Sequence, residues 1–328
     1  MKAYVIEKPG GPEALKLRDI PSPEPGADEV KIRVRAFGLN RAEAYLRAGK
    51  MGEITAPRVP GIEAVGEVVN DPSGTFRTGQ RVATAMGGMQ FGRPGSYAEA
   101  VSVLRNNVID LDGASLSWEE LAALPESYLT VWGALTKSLN IREGQTLLVR
   151  GATSAAGLAA VAYAKAFRLD VIATTRSPEN ASRLRNVGAD EVIIDNGQIA
   201  DLVRAIAPDG VDAALEVVGA ATLRDTIKCL KPFGAVSVIG LLGGPPVLDH
   251  FHLMQDLPGA TRLNFFPSGL LGTAALPLTD TPLAMLAQDV AAGRIPSLRT
   301  RTFDFEDVPA AHSFMESNRA LGKLVVRL

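Results

Sequence analysis

Cysteine is almost absent from this 328-residue sequence, which contains only Cys229. A single cysteine cannot form an internal disulfide, and it cannot build the cages of several cysteines that hold structural zinc. An excess of one charge is also missing, because 34 Lys and Arg residues nearly balance 36 Asp and Glu residues. This balance provides no excess of positive charge that would attract nucleic acid or an anionic membrane surface.

Long apolar runs are missing as well. The longest, at 155–162 and 235–242, are well short of the ~20 residues that a membrane-spanning helix needs. The first residues, MKAYVIEKPGG, lack the apolar core of a secretory signal. We therefore expect a cytoplasmic protein that binds neither membranes nor nucleic acid. Hydrophobic residues make up 46% of the chain, so it can bury a large core, and its length favours two domains.

The pattern of predicted strands and helices changes along the chain in three stages. Up to about residue 110, short runs such as MKAYVI and EVKIRVRAFGL are separated by Gly and Pro, which predicts β-strands and tight turns. A linking segment predicts two helices, one with Ser117 and Glu120 as a capping box and one that begins at Pro125. From 145 to about 240, β-branched runs alternate with helical stretches such as 158–167 and 178–186, which is typical of a parallel sheet covered on both faces.

After about residue 261 the chain returns to a mixed pattern and ends in a predicted strand, GKLVVRL. This return predicts a β-rich domain made of residues 1–117 and 263–328. A doubly wound α/β domain of residues 118–262 is then inserted into it. The predicted fold class is thus α/β, with a parallel-sheet domain inside a β-rich one.

The stretch LLVRGATSAAGLAAVAYAKAF at 147–167 has the outline of a dinucleotide-binding turn, with a strand, a small-residue loop and a helix. Such a loop must turn tightly, allow close approach of the pyrophosphate and direct free N–H groups at it. The usual G-x-G-x-x-G would have glycine at Ala152 and Ser154, and only Gly157 matches. Alanine suffices where φ stays negative, and the Ser154 hydroxyl could donate to a phosphate oxygen. An ordinary strand–helix turn with small residues for packing is the alternative.

The end of the second strand, VIATT, bears on the choice of cofactor. An NAD-preferring site places Asp or Glu there, whereas this chain has Thr175, Arg176 and Ser177. Arg176 could form charge-assisted hydrogen bonds to a 2′-phosphate, although an exposed Arg after a strand is often only solvated. The missing acid and the Arg together favour NADPH.

Taken together, these residues resemble the medium-chain dehydrogenase/reductase superfamily, and more closely its zinc-independent quinone oxidoreductase (zeta-crystallin-like) branch. The resemblance includes GGPEALKLRDIPSPEPGADEVKIRVRAFGLNRAEAYLRAG, PGIEAVGEVV, GSYAEA, LAALPESYLTVWGAL, GATSAAG, GADEVI and MESNRALGKLVV, in this order. It implies a Rossmann-type domain inserted into a GroES-like catalytic domain. Members usually carry G-A-(A/S)-G-G-V-G where this chain has GATSAAG, so the loop is a variant of a known one.

The zinc alcohol dehydrogenases of the superfamily place a catalytic Cys in the region that matches residues 37–40 and a His in a G-H-E triplet. This chain reads FGLN and Gly61-Ile62-Glu63, and its H-x-H at His250 and His252 has no third ligand nearby. We therefore expect no metal. Without a Lewis acid, the acceptor must delocalise the developing charge itself, as a quinone or an α,β-unsaturated carbonyl compound does.

The resemblance also implies roles for individual residues. Asn40 matches the asparagine beside the nicotinamide and could donate to a developing oxyanion, or it could cap a helix. Tyr45 could relay a proton, orient the acceptor or only pack. Arg319 could reach the 2′-phosphate or pair with a carboxylate. The expected cofactor-binding residues are Thr130, Gly151, Ala152, Thr153, Ser154, Ala155, Ala156, Gly157, Thr175, Arg176, Ser177, Val218, Gly219, Ile239, Gly240, Leu241 and Arg319.

The expected activity is NADPH-dependent reduction of a quinone. An NADPH-dependent enoyl or enone reductase is the alternative, and a non-catalytic NADPH-binding protein is a remote one. Relatives pair through an edge strand of the nucleotide domain, so the resemblance implies a homodimer through residues near 262–266, with a tetramer left open.

Overall fold

A computed structural model describes all 328 residues, and they divide into two compact units. Unit 1 comprises Met1–Leu129 and Ser268–Leu328, and unit 2 comprises Thr130–Pro267. The chain therefore leaves unit 1, forms unit 2 and returns to unit 1. This is the insertion that the sequence pattern predicts.

Unit 1 is built mainly from antiparallel strands around one apolar core. Its strands are Lys2–Ile6 (β1), Leu15–Asp19 (β2), Glu29–Gly38 (β3), Glu63–Asn70 (β4), Arg81–Ala85 (β5), Ala100–Leu104 (β6), Ile109–Asp110 (β7), Arg299–Asp304 (β14) and Lys323–Arg327 (β15). The main sheet has the order β14-β15-β3-β4-β5-β7, with β6 also paired to β3, while β1 and β2 form a separate pair. β3 alternates as the sequence predicts, with Val30, Ile32 and Val34 buried in the core.

The last strand of the chain lies beside one of the first. β15 pairs antiparallel with β3, and Val325 is opposite Gly38. This pairing places Lys323, the first residue of β15, near the segment that follows β3. The helices of unit 1 are Arg41–Arg47 (α1), Trp118–Leu121 (α2), the first part of Pro125–Trp132 (α3), Leu283–Ala291 (α9) and Val308–Glu316 (α10).

Unit 2 is a parallel sheet with helices in its connections. Its strands are Thr146–Arg150 (β8), Asp170–Thr175 (β9), Glu191–Ile194 (β10), Val211–Glu216 (β11), Leu230–Val238 (β12) and Arg262–Phe265 (β13), and its helices are Ala155–Ala166 (α4), Ala181–Val187 (α5), Ala200–Ile206 (α6), Ala220–Lys228 (α7) and Leu253–Asp256 (α8). The order β10-β9-β8-β11-β12-β13 is the doubly wound order 3-2-1-4-5-6. The chain order reverses between β8 and β11, so the sheet predicts a ligand crevice at their carboxyl ends.

Several local predictions are confirmed. Ser117 accepts a hydrogen bond from the Glu120 N–H and Glu120 reaches back to the Ser117 N–H, both at 3.2 Å, and α3 begins at Pro125. The helix predicted at 178–186 is a 3₁₀ turn at Pro178–Asn180 followed by α5. The predicted boundary between residues 262 and 263 is corrected, because β13 pairs with β12 along its length and so belongs to unit 2, which ends at Pro267. None of the helices combines the length and the apolar character that a bilayer span requires.

Gly157 tests how tightly the first loop of unit 2 is packed. A Cβ there would lie 2.5 Å from the Gly151 oxygen and 2.6 Å from the Ala152 Cα. Because backbone atoms cannot move aside cheaply, we expect Gly157→Ala to lower the free energy of unfolding by about 1–3 kcal/mol. Gly269→Ala is the control, since nothing lies within 4 Å of its Cβ. Thermal or urea unfolding of both variants measures the difference, and equal stabilities would contradict the close approach.

Candidate active site

A buried ammonium group organises the candidate catalytic residues of unit 1. Lys323 is 1% exposed, and its Nζ lies 2.7 Å from the Glu63 Oε1, 2.5 Å from the Asn40 Oδ1 and 3.2 Å from the Ser127 Oγ. The second Glu63 oxygen accepts the Glu126 N–H at 2.7 Å. The Glu63–Lys323 ion pair therefore connects β4, β15, the residue before α1 and the first turn of α3.

The Asn40 side chain is held in one orientation by this cluster. Its Nδ2 donates to the Glu63 Oε1 at 2.8 Å and to the Glu43 Oε1 at 3.3 Å. Because Lys323 can only donate, the oxygen of the Asn40 amide must face it and the nitrogen must face the carboxylates. Asn40 is also the N-cap residue of α1, and its N–H donates to the Glu43 Oε2 at 2.8 Å. A substrate oxygen near Asn40 would compete with the Glu43 Oε1 for the Nδ2 hydrogen of the longer bond, 3.3 Å.

Glu43 is the second carboxylate of the cluster. It is fully buried, and burial followed by the repulsion of Glu63 raises its pKa to about 8, although Lys323 opposes this. The pKa of Lys323 is raised despite its burial, chiefly by Glu63. One lysine thus faces two carboxylates, and the geometry pairs it with Glu63.

Tyr45 lies on α1 and is half-buried. The Lys50 ammonium is 6.0 Å from the centroid of its ring, and the Lys50 N–H donates to the Tyr45 carbonyl oxygen at 2.9 Å. Asn40 is thus the N-cap residue of α1, and Tyr45 lies within the same helix.

His312 belongs to a separate buried cluster. The Arg47 guanidinium approaches its Nδ1 at 2.9 Å, and the Tyr97 hydroxyl lies 2.9 Å from its Nε2. Since Arg47 can only donate, Nδ1 is the acceptor and Nε2 carries the proton. Burial and Arg47 lower the pKa of His312 to about 3, so the imidazole stays neutral and fills a packing role.

In unit 2, the predicted loop forms a tight turn between β8 and α4. Gly151 has φ = 81°, a conformation that favours glycine, whereas Ala152 and Ser154 do not take positive φ. Their side chains are therefore compatible with the turn. Ser154 caps α4: its Oγ donates to the Gly151 oxygen and accepts the Gly157 N–H, each at 3.0 Å. Its proton is thus engaged within the loop.

The loop presents free donors. The backbone N–H groups of Thr153, Ala155 and Ala156 find no acceptor within the chain. Free N–H groups at the first turn of a helix are suited to a phosphate group. The residues present therefore fit the pyrophosphate of a dinucleotide.

The end of β9 carries the predicted 2′-phosphate residues. Arg176 is exposed, and its guanidinium forms no hydrogen bond or ion pair within the chain. Thr175 and Ser177 hydrogen-bond to each other at 3.2 Å. Arg319 lies in unit 1, where its guanidinium is 5.4 Å from the Phe314 ring centroid and donates to the Ser317 Oγ at 3.1 Å.

Two further turns follow β11 and β12. A Cβ on Gly219 would lie 2.8 Å from the Gly240 oxygen, and one on Gly240 would lie 2.1 Å from the Val217 oxygen. The turn with Val218 and the turn with Ile239 and Leu241 are therefore in backbone contact. Both lie at carboxyl ends of strands, where open α/β sheets bind ligands. Thr130, on α3, is buried.

Buried charges that the sequence did not predict support these residues. Glu43, Glu63 and Lys323 surround Asn40, and Arg150 lies fully buried at the end of β8. A charged residue inside an apolar run is the signal, as in GIEAVGEVV, LLVRG and GKLVV. Such a residue either faces solvent or has a buried partner, and the pattern alone does not identify the partner.

Comparisons with known proteins agree with this architecture. The family models for an alcohol dehydrogenase GroES-like domain and a zinc-binding dehydrogenase match residues 26–113 and 187–326. Human quinone oxidoreductase is 32% identical over 339 residues, which cover 100% of this chain and 98% of that protein. A 2-haloacrylate reductase from a Burkholderia species is 27% identical over 335 residues, or 99% and 98% of the two chains. The solved quinone oxidoreductase of Pseudomonas syringae pv. Tomato DC3000 has a TM-score of 0.87 at 25% identity, with 100% and 99% coverage.

A GroES-like unit and a doubly wound nucleotide-binding unit in one chain define a medium-chain dehydrogenase/reductase, whose cofactor is a nicotinamide dinucleotide. Within this superfamily, the chain belongs to the quinone oxidoreductase family. The predicted family and fold class are confirmed.

The residues of this chain do not fit a catalytic zinc ion, although one matching family model is described as zinc-binding. Glu63 is the one acidic residue of the Gly61-Ile62-Glu63 triplet, and it is paired with Lys323. No group of three or more His, Cys, Asp or Glu side chains is arranged to hold a metal ion.

The raised pKa of the buried Glu43 carboxyl predicts a pH dependence of stability. Its folded-state pKa of about 8 lies above the ordinary value of 4.5, so the folded chain binds this proton more tightly. The stability from this group is complete below about pH 4.5 and is lost as the pH rises through about 8. Glu43→Gln keeps the neutral form at every pH, so its melting temperature should fall less than that of the wild type between about pH 5 and about pH 9. The exposed Glu179→Gln is the control, and parallel curves for wild type and Glu43→Gln would contradict the assignment.

Proposed function

We propose that this protein is an NADPH-dependent reductase that delivers a hydride to a quinone. The observation that carries the proposal is the buried, apolar Ile62, which stands where the zinc-dependent members of the superfamily have the His of their G-H-E triplet, next to the Glu63–Lys323 ion pair. The full-length similarity to human quinone oxidoreductase supports the same acceptor class.

The chemistry follows from a set of residues that does not fit a Lewis-acid metal ion. Reduction of a simple ketone places a full negative charge on one oxygen, which these residues would have to stabilise unaided. A quinone instead becomes aromatic as it accepts the hydride, and a proton then completes the hydroquinone. The protein therefore needs to bind, orient and exclude water rather than polarise a carbonyl strongly.

The cofactor in this proposal is NADPH, which supplies the hydride from nicotinamide C4. The unpaired guanidinium of Arg176 would hold the 2′-phosphate, with Ser177 beside it. The free amides of Thr153, Ala155 and Ala156 would hold the pyrophosphate. Val218, Gly219, Ile239, Gly240, Leu241 and Thr130 would line the nicotinamide end.

Asn40 and Tyr45 are the proposed catalytic residues. Asn40 would share with the acceptor oxygen the amide hydrogen that now makes the longer contact, 3.3 Å, with Glu43. Lys323 and Glu63 keep that amide from rotating. Tyr45 would orient the acceptor and supply a proton through its phenol.

The second candidate function is reduction of an alkene conjugated to a carbonyl group. The 2-haloacrylate reductase that matches over nearly the whole chain favours it, because its named substrate is an activated alkene. Such an acceptor also delocalises its own charge, as an enolate, so the same metal-free site would serve.

We also propose that the protein is cytoplasmic and forms a homodimer through β13. This strand is at the open edge of the unit 2 sheet, and Phe265 on it is 53% exposed. An exposed edge strand with apolar side chains is stabilised by pairing with another strand.

Arg176→Ala tests the cofactor assignment. Loss of a charge-assisted contact should weaken NADPH binding by about tenfold or more, while the affinity for NADH changes little. Arg185→Ala, an exposed arginine on α5 without a partner, is the matched control. Titration of the cofactors by fluorescence measures all three proteins, and an equal loss for NADPH and NADH would show that Arg176 does not hold the 2′-phosphate.

Tyr45→Phe tests the function and the acceptor class together. Initial rates of NADPH oxidation are measured with 1,4-benzoquinone and with an α,β-unsaturated ketone. We expect turnover of the quinone by the wild type, and a larger loss in the variant with the ketone, whose enolate must be protonated at carbon. Tyr163→Phe on α4 is the control. Equal losses with both acceptors would rule out a proton relay, and wild-type turnover of the ketone alone would favour the second candidate function.

A further inference from the structure

Arg150, the last residue of β8, directly precedes the nucleotide-binding loop and is fully buried. Its Nε and Nη2 donate to the two oxygens of Asp195 at 2.8 and 3.0 Å. Its Nη1 donates to the Asp225 Oδ2 at 2.8 Å. Asp195 follows β10, and Asp225 lies on α7. One guanidinium therefore connects the end of β8 with the residue after β10 and with α7, directly before the loop.

The same guanidinium reaches a hydroxyl that leads to a second turn. Its Nη1 donates to the Thr226 Oγ1 at 3.0 Å. The Thr226 hydroxyl lies 2.6 Å from the Glu216 Oε2 and 3.2 Å from the Thr222 oxygen. Since Arg150 has no acceptor, the hydroxyl accepts from it and directs its own proton to Glu216, the nearer of the two oxygens.

Glu216 holds the turn after β11. Its Oε1 accepts the Val218 N–H at 2.7 Å and the Gly219 N–H at 3.0 Å. Glu216 is fully buried and is the register partner of Arg150 across β11 and β8. These are the two strands between which the chain order reverses, so the hydrogen bonds run from one side of the ligand crevice to the other.

Through Gly219, the orientation of this turn affects the neighbouring turn after β12. Gly219 has φ = 103°, and it packs against the Gly240 oxygen of the neighbouring turn. Rotation of the Val218–Gly219 peptide would therefore displace both turns at this end of the sheet. The carboxylate of Glu216 opposes that rotation by accepting two successive N–H groups.

We propose that Arg150, Thr226 and Glu216 are positioning residues that hold the Val218–Gly219 turn in the geometry that receives the nicotinamide half of the cofactor. This inference rests on the proposed function, because it requires that the cofactor bind at this end of the sheet. None of the three residues needs to touch the cofactor. Their effect is transmitted by the two amide groups that Glu216 holds.

Thr226→Val is the decisive variant, because it removes the hydroxyl between Arg150 and Glu216 and nearly preserves the side-chain shape. We expect NADPH to bind about tenfold more weakly, as for the loss of one hydrogen bond. The binding of 2′,5′-ADP, which lacks the nicotinamide half, should stay within about twofold of wild type. Thr226→Ser keeps the hydroxyl and should restore NADPH affinity.

Amide hydrogen exchange of the cofactor-free protein provides a readout that does not depend on the cofactor. The Val218 and Gly219 amides should exchange at least about tenfold faster in Thr226→Val, while amides in the middle of α4 keep their wild-type rates. A uniform increase throughout unit 2, or an equal loss of NADPH and 2′,5′-ADP affinity, would mean a general structural role and would overturn the inference. Unchanged exchange at Val218 and Gly219 would overturn it as well.

The two proposals can fail separately. A wild-type protein that binds neither ligand would overturn the proposed function and, with it, the cofactor role of this turn. Binding of both ligands by the wild type, with NADPH affinity unaffected in Thr226→Val, would leave the proposed function standing and would overturn the positioning role alone.

Discussion

The ion pair between Lys323 and Glu63 is the interaction on which unit 1 depends. It joins the last strand of the chain to β4, and through Asn40 and Ser127 it also fixes the starts of α1 and α3. Removing one partner of a buried pair leaves an uncompensated charge, which typically costs about 3–5 kcal/mol. The pair therefore constrains the fold and the orientation of Asn40 at the same time. Lys323 pairs with Glu63 rather than with Glu43, and burial together with the charge of Glu63 raises the pKa of Glu43 to about 8.

Unit 2 also has a buried ionic cluster, which lies directly before the nucleotide-binding loop. Arg150 is buried among Asp195, Asp225 and Thr226, and the loop that follows it retains its turn although glycine is replaced at Ala152 and Ser154. Ser154 satisfies the helix terminus, and the loop amides stay free for a phosphate group. In each unit, buried charges at strand ends hold polar groups that would otherwise rotate. This is the preorganisation that hydride transfer without a metal requires.

The sequence predicts the elements of this fold better than the contacts within the site. Apolar alternation locates β3, the Ser117–Glu120 box marks the start of α2, and the alternation of strands and helices indicates the doubly wound sheet. These features are local, so short patterns contain them. The partners of Lys323 are not local, since Asn40 is 283 residues away in the chain. Nor could the pattern show that the Ser154 proton is engaged by Gly151, because that depends on the backbone geometry of the loop.

The most direct test of the account is the rate of NADPH oxidation by the purified, chelator-treated protein with 1,4-benzoquinone. Protein-free mixtures give the background rate, and NADH is the comparison cofactor. We expect quinone-dependent loss of NADPH at a rate well above the background, undiminished by chelation and faster than the loss of NADH. Activity that disappears on chelation and returns with zinc would contradict the proposed metal-free chemistry of the site around Asn40 and Lys323.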